Sequence, residues 1–127
     1  MIRGIGLDAV SISRLANKRL SEYAISRLFH PLEVEQAKEL SVDEQPRFFA
    51  SRFGAKEALV KALGTGFRAI SPSEICVVTD DLGKPSFFLG KEVVKKLCLE
   101  NSTIHLSLTH EADLALAFVV VESSDVC

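Results

Sequence analysis

Three stretches of this sequence place residues able to do chemistry at useful spacing. The first ends at Asp8, which closes the short apolar run Gly4-Ile5-Gly6-Leu7. A carboxylate there either caps a turn into a following helix or, held rigidly at a strand end facing a cleft, ligates a metal. The second stretch runs from Arg52 to Gly66, where Gly54, Glu57 and Lys61 fall on one helical face at three- and four-residue spacing. As a solvated pair, Glu57 and Lys61 would stabilise that helix by only about 0.2–0.5 kcal/mol. A mid-helix Gly54 costs about 1 kcal/mol relative to alanine, which suggests that a ligand or another backbone packs close to it. Gly64-Thr65-Gly66 follows a helix C-terminus, where the dipole disfavours anions. No Lys-Ser/Thr pair follows it, so this is not a Walker-type loop. A phosphate bound nearby would need Lys61 and a cation to offset its charge. The third stretch, Leu106 to Glu111, is a strand ending in a polar cluster. His110 has no second His or Cys at ligand spacing, which argues against zinc.

These residues need a scaffold, and the chain supplies clear punctuation for one. Met1 to Leu7 reads as a strand running up to Asp8. Ser11 or Ser13 can cap a first helix to about Phe29. His30-Pro31 breaks the chain, with Pro31 opening a second helix through Leu40. Asp43 is placed to cap a third and longest helix, since Pro46 then sits where its missing N–H is no loss. That helix carries Phe49, Phe53, Val60 and Leu63 on one stripe and stops at Gly64. Glu74 to Thr79 and Ser86 to Leu89 read as strands around a turn-rich Asp80 to Pro85, and Lys91 to Leu99 as a short amphipathic helix. Thr103 to Thr109 alternates, with Ile104, Leu106 and Leu108 on one face. The last strand, Leu114 to Glu122, is apolar on both faces, and burial against another subunit is the simplest account, so an oligomer is expected. Helices early and strands late indicate an α+β fold in a single domain over residues 1–127.

Composition narrows the function classes. With 127 residues, 47% hydrophobic and 25% charged, the chain suits one globular domain rather than disorder. A formal net charge of -2 gives no basic footprint for nucleic acid. No apolar run reaches membrane-spanning length, and the N-terminus shows no secretory pattern. Cys76, Cys98 and Cys127 are widely spaced with no CxxC pairing, as expected of buried or incidental thiols in a reducing, cytoplasmic compartment.

Taken together, the Gly-Ile-Gly-Leu-Asp8 opening, Arg14, the Arg52 to Gly66 block, the Gly83-Lys84-Pro85 turn and Ser107-Leu108-Thr109-His110 resemble the holo-[acyl-carrier-protein] synthase family. These are the small trimeric members of the 4'-phosphopantetheinyl transferase superfamily. The resemblance implies early helices packed on a mainly antiparallel sheet and a homotrimer with sites at subunit interfaces. It implies transfer of 4'-phosphopantetheine from coenzyme A to a serine of apo-acyl carrier protein, with release of adenosine 3',5'-bisphosphate, for fatty acid biosynthesis. By matching positions, Asp8 and Glu57 would be the carboxylate ligands of Mg2+, a hard cation that commonly takes one or two carboxylates plus substrate phosphate and water. Lys61 would contact the same phosphates as a point charge, and Gly64, Thr65 and Gly66 would let the backbone lie against the coenzyme. Arg47, Arg52 and His110 are the candidates for the nucleotide and its 3'-phosphate. Arg14 and Lys18, on a locally basic stretch with Arg19 and Arg27, would meet the acidic carrier. Many members carry Glu at Ser11, a Thr or Ser near His30-Pro31, and alanine at Gly54. The general base stays open between Glu57, Glu33 or Glu35 through water, and metal-bound water. A pyrophosphate hydrolase and a non-catalytic binding module with a structural Glu57–Lys61 pair are the competing classes. A carrier protein is excluded for lack of strong acidity and an Asp-Ser-Leu attachment motif.

Overall fold

The structure is a computed structural model that describes residues 1–16 and 20–124. Its spine is a single 19-residue helix, α3 (Gln45–Leu63), laid across an antiparallel sheet of order β1-β5-β4. The sheet strands are β1 (Ile2–Ser11), β4 (Ser102–Glu111) and β5 (Leu114–Ser123). A second, two-stranded antiparallel sheet joins β2 (Cys76–Thr79) to β3 (Pro85–Phe88). Short helices α1 (Glu22–Leu28) and α2 (Pro31–Lys38) precede the spine, and α4 (Lys91–Lys96) follows the small sheet. This is the expected α+β arrangement of early helices on antiparallel strands. Among the described residues, no helix is long and apolar enough to cross a membrane.

The core follows from the strand alternation. Ala117, Val119 and Val121 of β5 face α3 and are buried with Ala55, Ala58, Leu59 and Ala62. Helix and strand can approach so closely because the sequence puts glycine in β1. A Cβ at Gly4 or Gly6 would collide with the carbonyl oxygens of Ala62 and Ala58, so any side chain there would push the spine off the sheet. The opposite face of the same sheet is apolar and uncovered. Ile5 is 61% exposed, Leu7 60% and Phe118 42%, which is the two-faced character read from the last strand.

Several boundaries differ from expectation. The strand does not stop before Asp8; β1 continues to Ser11, opposite Leu114, and Asp8 lies mid-strand opposite Ala117. Pairing with β5 extends it, and a single strand's sequence does not reveal its partner. Neither Ser11 nor Ser13 caps a long helix. A 3-10 turn, Ile12–Leu15, comes first, and α1 begins at Glu22 with the Ser21 hydroxyl accepting from Ala24 N at 3.1 Å. Asp43 does not cap α3; Glu44 holds that position, and its carboxylate accepts from Ser41 N and Oγ instead. Helix α2 ends at Lys38 rather than Leu40, and Glu74 belongs to a 3-10 turn, Pro72–Glu74, with Ser71 and Glu74 forming a capping box. Gly64 does end α3, in the left-handed region at φ 72°. Cys76 is buried, and burial pushes its thiol up to about 11. Cys98 is exposed, and Cys127 lies outside the described residues.

Candidate functional site

The close seam between β1 and α3 builds the first half of the site. Gly6 lets the helix sit on the strand, and the next side chain on that face of β1 is Asp8. Lys61, on the facing turn of α3, donates from Nζ to Asp8 Oδ1 at 2.9 Å and to the Leu7 carbonyl at 3.1 Å. Gly54 lies beneath the same carboxylate. A Cβ placed there would be 3.4 Å from Val10 Cγ2 and 3.9 Å from Asp8 Oδ2. The neighbours at Gly54 are side chains at ordinary contact distance, not the close backbone that its cost suggested, and an alanine would fit.

Glu57 completes the group one helical turn from Lys61. Partial burial and the negative charge of Asp8 raise its affinity for a proton, with Lys61 opposing them. Lys61 in turn is held charged by its hydrogen bond to Asp8 and by that carboxylate's charge. Two carboxylates that repel each other beside an ammonium, with the Lys61 side chain 52% exposed, leave room for a further cation. Their donors are hard oxygens. Among the described residues no three His, Cys, Asp or Glu side chains gather as a metal cage. That donor set fits Mg2+, which keeps water and substrate oxygens and needs only one or two carboxylates.

The second half is a cleft of about 340 Å³ between the N-terminal part of α3, the β2–β3 hairpin and the end of β4. Arg47, Arg52 and His110 all line it, so the three residues singled out for the nucleotide do meet. Arg52 stacks on Phe48, its carbon Cζ 4.1 Å from the ring centre, and donates from Nη1 to Ser51 Oγ at 3.0 Å. Its Nε is buried with no hydrogen-bond partner among the described residues. Burial disfavours its charge while Glu33 supports it. An orphaned guanidinium donor in a cleft with a second arginine and a histidine is suited to an anionic ligand. Phe48 and Thr79 also line this cleft and were not singled out from the sequence, whereas Gly83 and Pro85 of its lining belong to a turn that was. The Gly83-Lys84-Pro85 turn was the available signal.

The two halves are not one cavity. None of Asp8, Glu57, Lys61, Gly64, Thr65 and Gly66 lines the arginine cleft. Arg47 and Glu57 stand about 15 Å apart along the helix at 1.5 Å per residue. Thr65, half-buried in the loop after α3, donates from Oγ1 to the Gly66 carbonyl at 3.0 Å. Arg14 is exposed within the 3-10 turn after β1, and Lys18 lies outside the described residues.

One charged residue went unrecognised. Lys56 falls within the apolar stripe of α3, between Phe49 and Val60, and is fully buried. It ion-pairs with the fully buried Glu33 and donates to the carbonyls of Leu28 and Pro72, each at 3.0 Å. Glu33 accepts from His30 N and Val77 N, each at 2.9 Å. A lysine in the middle of an apolar stripe was the signal, since such a charge must find a partner inside. Glu33 is thereby sealed and saturated, which removes it from the candidates for general base. Glu35 is exposed and pairs with Lys38 at 3.2 Å.

Fold and site together define a small α+β protein with a cleft lined by two arginines and a histidine and, apart from it, a carboxylate–lysine cluster at the β1–α3 seam. The chain belongs to the 4'-phosphopantetheinyl transferase superfamily, whose family pattern matches residues 4–119. It is 44% identical over 132 residues to the holo-[acyl-carrier-protein] synthase of Zymomonas mobilis, covering 97% of this chain and 98% of the relative. The crystal structure of holo-[acyl-carrier-protein] synthase from Neisseria meningitidis is similar at a TM-score of 0.86 and 39% identity, over 97% of this chain and all of that one (100%). The Bacillus anthracis enzyme in complex with coenzyme A (3',5'-ADP) is similar at 0.82 and 37%, over 98% of this chain and 99% of that one.

Proposed function

We propose that this chain is a holo-[acyl-carrier-protein] synthase, transferring 4'-phosphopantetheine from coenzyme A to a serine of apo-acyl carrier protein. The observation that carries the reading is the Asp8–Glu57–Lys61 cluster at the β1–α3 seam, in a family whose relatives bear this name. Asp8 and Glu57 would hold Mg2+, which supplies charge neutralisation at the pyrophosphate and polarises phosphorus for attack. Lys61 turns from Asp8 toward the phosphate oxygens. The carrier serine attacks the phosphorus bearing the pantetheine arm; a P–O bond forms to serine, and the bond to the departing adenosine 3',5'-bisphosphate breaks. With Glu33 sealed away and Glu35 on an exposed face beside Lys38, we assign the serine proton to Glu57, directly or through water. Arg47, Arg52 and His110 bind the nucleotide and its 3'-phosphate, and Gly64, Thr65 and Gly66 border the coenzyme. Arg14 meets the acidic carrier.

Because the cleft and the cluster are separate on one chain, we assign the complete site to a homotrimer. Ile5, Leu7 and Phe118 form an exposed apolar sheet face of the kind that a partner covers.

The test is intact mass spectrometry of apo-acyl carrier protein incubated with this protein, coenzyme A and Mg2+. The expected result is a gain of one phosphopantetheine arm, lost with EDTA and reduced at least about a hundredfold in rate by Asp8→Ala or Glu57→Ala. An unmodified carrier with hydrolysed coenzyme A would instead identify a pyrophosphate hydrolase. An unmodified carrier and intact coenzyme would leave a binding module.

A further inference from the structure

The 3-10 turn Ile12–Leu15 that carries Arg14 is short, and the residue before it, Ser11, makes no side-chain cap to it. A turn of this kind leaves its first N–H groups without internal partners. Here both are taken by one residue about a hundred positions away in sequence. The Asp113 carbonyl accepts from Ile12 N at 2.8 Å, and Asp113 Oδ1 accepts from Ser13 N at 2.9 Å. Asp113 Oδ2 accepts from the hydroxyls of Ser11 and Ser13, each at 2.8 Å. The two hydroxyls are 3.0 Å apart, which closes the constellation. These hydrogen bonds hold the carboxyl of Asp113 below the usual carboxylate range, those from the Ser13 and Ser11 hydroxyls most strongly.

Asp113 stands in the β4–β5 connection, where Ala112 takes a left-handed φ of 52° and the chain turns back into β5, whose first residue, Leu114, is paired with Ser11. His110, a lining residue of the arginine cleft, is three positions earlier on β4. One hairpin therefore bears a nucleotide-side residue on its strand and, at its turn, the cap that orients the Arg14 turn.

We propose that Asp113 is a positioning residue for the acidic carrier protein: by capping the Ile12–Leu15 turn from the start of the neighbouring strand, it fixes the orientation in which Arg14 is presented. The assignment rests on Arg14 being a carrier contact. It asks for no contact between Asp113 and either substrate.

The experiment is steady-state kinetics on the full chain with the carrier and coenzyme A varied separately, for Asp113→Ala, Asp113→Asn and Arg14→Ala. Asp113→Ala should raise the KM for the carrier about tenfold, the scale of one lost cap. Its KM for coenzyme A and its kcat at saturating carrier should stay within about twofold, which general loosening of the fold would not spare. Asp113→Asn keeps a carbonyl oxygen for Ser13 N and should recover most of the carrier affinity. Should Asp113→Ala fold poorly, Ser11→Ala combined with Ser13→Ala removes the two hydroxyl bonds, leaves both backbone bonds, and should show a smaller shift of the same kind. An unchanged carrier KM in Asp113→Ala beside a raised one in Arg14→Ala overturns the role of Asp113 alone. An unchanged carrier KM in Arg14→Ala overturns both this role and the carrier reading of the turn. Equal rises in both KM values reduce Asp113 to a structural cap.

Discussion

Two lysine–carboxylate groups sit one residue apart on α3 and differ in every respect that decides their use. Lys56 points inward, where its three ammonium protons are spent on Glu33 and the Leu28 and Pro72 carbonyls. Glu33 is likewise saturated and ties α2 to the start of β2 through Val77 N. Glu57, the next residue, points to the β1 seam, where Asp8 and Lys61 leave a half-open group with two carboxylates to one ammonium. The inner pair is complete without any ligand, and a complete buried pair is a structural fastening. The outer group gains from an added cation, and that unmet demand is what a binding site needs. Charge alone does not separate the two; saturation and exposure do.

The comparison can be broken most directly at the inner pair. Lys56→Met leaves the Glu33 carboxylate buried without its counter-charge and should cost about 3–5 kcal/mol in urea unfolding. Adding Glu33→Gln should return part of that loss, because a neutral side chain still offers an oxygen to His30 N or Val77 N. A cost below about 1 kcal/mol would mean that the pair behaves like an exposed one. At the outer group the expected stability changes are smaller and reversed. Asp8→Asn should stay within about 1 kcal/mol of the parent while weakening Mn2+ binding, read by titration calorimetry, by at least about tenfold. Glu57→Gln carries a pH signature. The folded state raises the Glu57 proton affinity above its ordinary value of 4.5, so the stability linked to that proton is present below 4.5 and lost as pH rises through the raised value. Unfolding curves of Glu57→Gln and the parent should coincide at the acid end. At neutral pH without metal the variant should be the more stable, and added Mg2+ should close that gap by stabilising only the parent. The smallest effect is at Gly54. Its Cβ position is free of clashes, so Gly54→Ala should raise stability by about 1 kcal/mol, seen as a higher Tm. A loss there would show that the seam beneath Asp8 is tighter than its distances indicate.

The long helix, its stop at Gly64, the alternating β4 and the two-faced β5 were legible in the sequence because each rests on local periodicity or a single backbone preference. So was the Glu57–Lys61 face, since helical spacing fixes which residues are neighbours. The resemblance pointed to Asp8, which spacing alone left open and which the structure sets beside Lys61. Other features depended on contacts distant in sequence. The extension of β1 past Asp8 came from pairing with β5, and the 3-10 turn in place of a long first helix came with a cap from Asp113. Lys56 was visible as a misfit in an apolar stripe, but its partner Glu33 was not, because a buried charge reports its need and not its answer. Local chemistry in the chain determined which residues could bind, capture or donate. The tertiary structure alone decided which carboxylates stayed open to a ligand and which were sealed, because saturation is a property of what surrounds a group in space.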